Sequence, residues 1–358
     1  MKKHNFNPGP AVLPAPVLQE ASQAILDYNH SGLSILEISH RGSDFVAILD
    51  EAISLTKELL GLSDDYHVLF TTGGASSQFF MLAMNLLNEG DTAAYTDTGT
   101  WANKAIKEAK AYGQIKVIAS SKDKNYSFIP KDLGALPADA RFLHLTSNNT
   151  IFGTQIHSWP EVPVPIVCDM SSDIFSRTIP VDKFGLIYAG AQKNAGAAGV
   201  TMVIIRKDMV RTDLTHHLPP MLDYKTFISE NSLYNTPPVF PIYVSMLTLR
   251  WIKKLGGLEA MEKINRHKAK LLYDEIDANP LFKGTVAVED RSLMNVCFVA
   301  ENETLENEFA AEAKNAGCVN LKGHRSVGGF RASIYNAMPT ESVQVLVDTM
   351  KEFARKKG

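Results

Sequence analysis

Between residues 50 and 205 of this 358-residue chain, short apolar runs alternate with helical patterns, and that alternation narrows the fold more than any other feature. Strand-like runs fall at 67–72, 92–96, 115–119, 142–146, 164–169, 186–189 and 200–205. Runs of this kind, apolar on both faces, form a mostly parallel sheet covered by helices on each side. The predicted fold class is therefore α/β in three layers. In such sheets a ligand sits beyond the C-terminal ends of the strands.

The flanking segments behave differently. Residues 1–15 are expected to be extended, because Pro8, Pro10 and Pro14 cannot lie in a helix interior, and to pack with a small domain. Residues 16–257 are read as the large domain and 258–358 as a smaller α+β C-terminal domain. Within the latter, helices are expected at 258–278, 304–316 and 340–356, with strands near 285–289, 294–299 and 330–334. The stretch 207–239, with Leu218-Pro-Pro-Met and Tyr234-Asn-Thr-Pro-Pro, reads as irregular and functional.

A net charge of −3 and a pI near 6.4 provide no electrostatic footprint for nucleic acid or an anionic membrane. No apolar run is long enough to span a bilayer. Cys168, Cys297 and Cys318 cannot all pair and lack metal-ligand spacing, so the expectation is no metal, no disulfide framework and a cytoplasmic location.

The strand exits carry the chemistry. The turn 190–199 is so rich in Gly and Ala that one long polar side chain, Lys193, stands out. A lysine poor in water loses its proton more readily and can act as a nucleophile. Upstream, the apolar run Val164–Cys168 ends in Asp169. A lysine to bond an aldehyde and a carboxylate to hold a ring nitrogen protonated are what pyridoxal 5'-phosphate requires. Gly73-Gly74-Ala75 followed by Ser76 is a strand-to-helix turn, expected to be Ser-capped, that offers backbone N–H groups to a phosphate. It lacks the lysine of a P-loop. Trp101 stands at a helix start and could present a flat face to a heteroaromatic ring. Two His-Arg pairs, His40-Arg41 and His324-Arg325, together with Arg331, suggest a doubly anionic small molecule in an otherwise acidic protein.

With these residues in view, the chain resembles the phosphoserine aminotransferases, in the class V group of fold-type-I pyridoxal-phosphate enzymes. The likeness rests on Phe6-Asn-Pro-Gly-Pro10, Ser39-His-Arg-Gly42, Gly73-Gly-Ala-Ser76, Thr100-Trp101, Asn148-Asn-Thr150, Asp169, Gln192-Lys193, Asn235-Thr-Pro-Pro238, Gly323-His-Arg325 and Arg331 through Met338. The resemblance implies a large domain built on a seven-stranded sheet. It implies Lys193 as the Schiff-base lysine and proton carrier, Asp169 against the pyridinium, Trp101 on the ring and Thr150 at the phenolic oxygen. Ala75, Ser76 and Gln192 would hold the cofactor phosphate, completed by Asn235 and Thr236 of the other subunit in a homodimer. Arg331 would take the substrate α-carboxylate, and His40, Arg41, His324 and Arg325 the second anion. The implied reaction moves the amino group of L-glutamate to 3-phosphohydroxypyruvate in serine biosynthesis. The family also suggests 3-hydroxy-2-oxo-4-phosphooxybutanoate, in pyridoxine biosynthesis, as a second acceptor.

Two positions depart from the family pattern. Asn stands beside Thr150 where relatives often have Glu, and Pro8 stands where some have a substrate-contacting Ser, so no role is carried to Pro8. The rival readings are another class V enzyme, such as an alanine–glyoxylate aminotransferase or a cysteine desulfurase, a non-catalytic binding protein on the same fold, and a nucleotide-binding α/β protein. The two His-Arg pairs, the Lys193–Asp169 pair and the surroundings of Cys318 argue against them.

Overall fold

The computed structural model describes residues 2–357. From the N-terminus, the elements are β1 (His4–Asn5), α1 (Ala15–Leu26), α2 (Ser43–Leu60), β2 (Tyr66–Thr71), α3 (Gly74–Leu86), β3 (Thr92–Asp97), α4 (Thr100–Ala109), β4 (Gln114–Ser120), β5 (Ala140–Thr146), β6 (Asn148–Asn149), β7 (Thr154–Gln155), β8 (Ile166–Asp169), β9 (Phe184–Gly190) and β10 (Thr201–Arg206). There follow α5 (Tyr224–Ser229), α6 (Val239–Lys254), α7 (Gly257–Ala278), β11 (Phe282–Gly284), β12 (Asn295–Ala300), α8 (Glu303–Asn315), β13 (Cys318–Val319), β14 (Phe330–Ser333) and α9 (Thr340–Lys357). Among the described residues, no helix is long and apolar enough to cross a membrane.

The central sheet has seven strands in the order β2-β10-β9-β8-β5-β3-β4. Pairing is parallel from β9 through β4, whereas β10 runs antiparallel to both of its neighbours. Apart from the exposed edge strand β4, its strands are mostly buried because each face has its own core. Along β9 and β10, Ile187, Ala189, Met202 and Ile204 enter the core beneath α1, α2 and α6. Their alternates Leu186, Tyr188, Val203 and Ile205 enter the core beneath α3 and α4. Helix α2 explains itself by spacing: Phe45, Ile48, Leu49, Ala52 and Leu55 recur on one buried stripe, and Gly61, at φ 66°, ends the helix in the left-handed region.

The C-terminal domain sets the antiparallel strands β11-β12-β14 against α7, α8 and α9. Its core is rich in phenylalanine: Phe282, Phe298, Phe309 and Phe330 meet in stacked and edge-on pairs. Phe6 from the N-terminal segment is buried in the same core. That segment is tied down by parallel pairing of β1 with β13 and by His4 Nδ1 against Ser342 Oγ at 2.8 Å.

Two expectations need correction. The strand expected at 285–289 lies at Phe282–Gly284, and Val288–Asp290 forms a 3-10 turn instead. The buried Asp290 carboxylate accepts from the Ile129 N–H at 2.9 Å and from the Lys131 ammonium, and this turns the chain and leaves Val288 in solvent. The stretch 207–239 also contains one short helix, α5, capped by the Asp223 carboxylate on the Lys225 N–H at 2.9 Å.

Candidate active site

The strand exits converge on a cavity of about 530 Å³, a size ordinary for a small-molecule site. Nine of the expected residues line it: Ala75, Ser76, Trp101, Thr150, Asp169, Gln192, Lys193, His324 and Arg331. Five do not, namely His40, Arg41, Asn235, Thr236 and Arg325.

Lys193 lies in the turn joining β9 to β10, next to the end of β8. Its amine donates to Thr150 Oγ1 at 3.2 Å. Burial lowers the amine to about 8, with Arg331 pushing the same way and Asp169 and Asp173 opposing. Asp169 ends β8 and is 5% exposed. Burial raises its carboxyl above the ordinary range, opposed by the Ser171 hydrogen bonds and by Lys193. The Ser171 N–H donates to Asp169 Oδ1 at 2.9 Å, and the Ser171 hydroxyl accepts from the Gly190 N–H at 3.2 Å, which ties the acid to the strand leading to Lys193.

At the other end of the cavity, α3 begins without the expected Ser cap. Gly73, at φ 90°, occupies the N-cap and no side chain accepts from the first turn; Ser76 and Ser77 lie inside the helix. The first N–H groups of α3 are thus free for an anion. A Cβ at Gly73 would fall 1.8 Å from Ser77 Oγ.

The mouth is cationic. Arg331, 7% exposed, leaves β14 and donates from Nη1 to the Thr150 carbonyl at 3.1 Å. The Lys104 ammonium lies 4.6 Å from the centre of the Trp101 ring. Burial, then Arg331, Arg325 and Lys104, hold the His324 imidazole below its ordinary value. An anion arriving there would favour its protonation.

His40 and Arg41 lie elsewhere. Arg41 donates to His40 Nε2 at 3.2 Å and to the Leu233 carbonyl at 3.3 Å. This bond draws the His40-Arg41 pair to the segment that carries Asn235 and Thr236.

The N-terminal segment supplies a wall that motif reading left without a role. Pro8, Gly9 and Pro10 line the cavity, and Ala11 N–H donates to the Gln192 carbonyl at 2.8 Å. Asn148, Ser171 and Ser172 also line it. Ser171 and Ser172, which follow Asp169 after Met170, were the available signal for the groups that hold that acid; Pro-Gly-Pro by itself carries no reactive side chain.

The fold and site define a class, and residues 3–346 match the family described as aminotransferase class-V. The chain belongs to that family and, within it, to the phosphoserine aminotransferases. The phosphoserine aminotransferase of Flavobacterium psychrophilum is 58% identical over 357 residues, 99% of this chain and 100% of that protein. A phosphoserine aminotransferase structure from Bacillus circulans subsp. alkalophilus superposes with a TM-score of 0.97 and 50% identity, covering 100% of this chain and 99% of that one. Another, describing radiation damage of the Schiff base in phosphoserine aminotransferase, does so at 0.97 with 47% identity and 99% of both chains.

Proposed function

We propose that the chain transfers the amino group of L-glutamate to 3-phosphohydroxypyruvate, giving O-phospho-L-serine and 2-oxoglutarate, with pyridoxal 5'-phosphate as cofactor. The observation that carries this reading is the Lys193 side chain sharing one cavity with Asp169 and Arg331, in a chain whose full-length relatives are named phosphoserine aminotransferases.

The residues present fit the cofactor. Three buried polar atoms of cavity residues, Trp101 Nε1, Arg331 Nε and Thr146 Oγ1, have no hydrogen-bond partner among the described residues. With the uncapped start of α3, they suit a polar, phosphorylated ligand. Ala75, Ser76 and Gln192 would hold its phosphate, Asp169 its ring nitrogen, Thr150 its phenolic oxygen and Trp101 its ring face. When bound, the cofactor supplies an electron sink for cleavage of a bond at the substrate Cα.

The side chains do the rest. The Lys193 amine, neutral above about pH 8, would take the proton from the substrate Cα as a base and, as an acid, pass it to the cofactor's aldehyde-derived carbon. The Arg331 guanidinium grips the α-carboxylate through its paired N–H groups. His324 and Arg325, with His40 and Arg41, receive the second anion, which is a phosphate in one half-reaction and the glutamate side-chain carboxylate in the other. The same pair of anions makes 3-hydroxy-2-oxo-4-phosphooxybutanoate a second acceptor.

The patch that joins His40-Arg41 to Asn235 and Thr236 stands outside this chain's own cavity, which supports a homodimer in which each subunit lends the patch to its partner's site. The cytoplasm is the proposed location. Release of 2-oxoglutarate from L-glutamate, compared across 3-phosphohydroxypyruvate, pyruvate and glyoxylate, tests the substrate. Preference for the phosphorylated acceptor supports the reading, whereas equal or faster turnover of pyruvate or glyoxylate would leave the class V assignment standing and overturn the substrate.

A further inference from the structure

Lys268, midway along α7, is 0% exposed. Its hydrogen bonds go to no carboxylate. The Nζ donates to four backbone carbonyls, those of Tyr335 at 2.7 Å, Ile334 at 3.0 Å, Met338 at 3.3 Å and Asn336 at 3.4 Å. An ammonium has three N–H donors, and four carbonyl oxygens converging on it favour the charged form. Burial acts against them and draws the amine down to about 7. A charge held in the interior at that cost does something that an apolar side chain of equal length would not.

The four carbonyls belong to one turn, the one by which the chain leaves β14. Arg331 lies on β14, three residues before Ile334. The turn itself makes contacts with the residues around the cavity. Tyr335 OH donates to the carbonyl of Pro8, in the cavity wall, at 2.7 Å. The Asn336 N–H donates to Oδ1 of Asn194, the residue after Lys193, at 3.0 Å, and the Asn336 amide donates to the Phe175 carbonyl at 2.9 Å. On the same side of α7, Asn265 reinforces the joint by donating to Asn336 Oδ1 at 2.8 Å. Four carbonyl dipoles aimed at one point repel one another, so the turn keeps this shape around the N–H donors that Lys268 supplies.

We propose that Lys268 is a positioning residue for the transamination: its ammonium gathers the carbonyls of the 334–338 turn and so fixes Arg331, the Pro8 wall and Asn194 in register around Lys193. The inference rests on the preceding reading that Arg331 takes the substrate carboxylate. A displacement of about 1 Å between a binding group and the reacting atoms costs up to about a hundredfold in rate.

The experiment compares cofactor-loaded wild type with Lys268→Met, which keeps the length and loses the charge. We expect saturation with cofactor to be unchanged and kcat/KM to fall by about tenfold to a hundredfold for both L-glutamate and 3-phosphohydroxypyruvate. Amide hydrogen exchange should quicken at 334–338 and also across the joint, at 8–11 and 192–196. A variant that is less heat-stable but keeps wild-type kinetics, with exchange raised at 334–338 alone, would show Lys268 to be only structural. Should Lys268→Met not fold, Tyr335→Phe removes the bond to Pro8, together with the one that the hydroxyl accepts from Asn295 Nδ2 at 3.1 Å. It should raise KM several-fold and quicken exchange at 8–11, and no change in either overturns the proposal. A wild type that transaminates neither substrate counts against the functional reading, and the exchange pattern then decides the role of Lys268.

Discussion

The Lys193 amine donates a hydrogen bond to the Thr150 hydroxyl at 3.2 Å, and Arg331 reaches the carbonyl of the same threonine at 3.1 Å. Thr150 therefore links the nucleophile to the group proposed to hold the substrate. The pH response of the site follows from the nucleophile. Burial lowers Lys193 to about 8, and only the neutral amine attacks an aldehyde. Attachment of pyridoxal 5'-phosphate to the apoprotein should therefore accelerate as pH rises through neutrality and level off above about 8. Stopped-flow absorption measures this. A rate still climbing at about pH 10, where an ordinary lysine titrates, would contradict it.

Arg331→Lys keeps a positive charge but loses the planar pair of donors that matches a carboxylate. The expected result is a fall of about a hundredfold in kcat/KM for L-glutamate with the cofactor spectrum retained, read by steady-state kinetics. Loss of the cofactor spectrum in that variant would place Arg331 among the groups that hold the cofactor instead.

The bond from Arg41 to the Leu233 carbonyl makes the shared dimer site testable. Lys193→Ala and Arg41→Ala should each be nearly inactive as pure dimers. Mixed and allowed to exchange subunits, they should recover about a quarter of wild-type sites, because each hybrid dimer has one site with both residues intact. No recovery, with exchange demonstrated by mass, would place Arg41 in its own chain's site or in none.

Gly73 permits the tight entry to α3. Gly73→Ala forces a side chain onto a backbone at φ 90° and into Ser77 Oγ, 1.8 Å from the new Cβ. A stability loss of about 1–3 kcal/mol is expected in urea unfolding, together with easier loss of cofactor on dialysis. Unchanged stability and retention would mean that the turn is not held as described.

The sheet was legible because all its strands except the exposed edge strand β4 are buried on both faces, so the apolar runs read clearly, with ends displaced by only a residue or two. The C-terminal domain was harder to read. Val286 and Val288 alternate like a strand, but the pull of Asp290 toward the Ile129 N–H turns the chain there. The Ser-rich start of α3 looked like a cap, whereas the conformation of Gly73 takes that position. Helix α5 is six residues long, too short to show a period within an irregular stretch.

The candidate site divides in the same way. Lys193 and Asp169 stood out by residue type at strand exits. Pro8, Gly9 and Pro10 carry no titratable chemistry, so only their place in the Phe6-Asn-Pro-Gly-Pro10 motif marked them, and no role was carried to them. His40 and Arg41 were grouped with the other cations, but one sequence cannot say which copy of the chain contributes them. Lys268 sits in a charged helix where no sequence feature sets it apart, and only the fold brings the 334–338 turn over it.

The most direct test of the central claim is the absorption spectrum of the cofactor-loaded protein during titration with O-phospho-L-serine and, separately, with L-serine. The account predicts that the visible band of the lysine-bound cofactor gives way to the shorter-wavelength amino form with phosphoserine, at concentrations where serine leaves it unchanged. A band indifferent to both amino acids would retain the cofactor and contradict the substrate. Failure to form the band at all would contradict the role of Lys193.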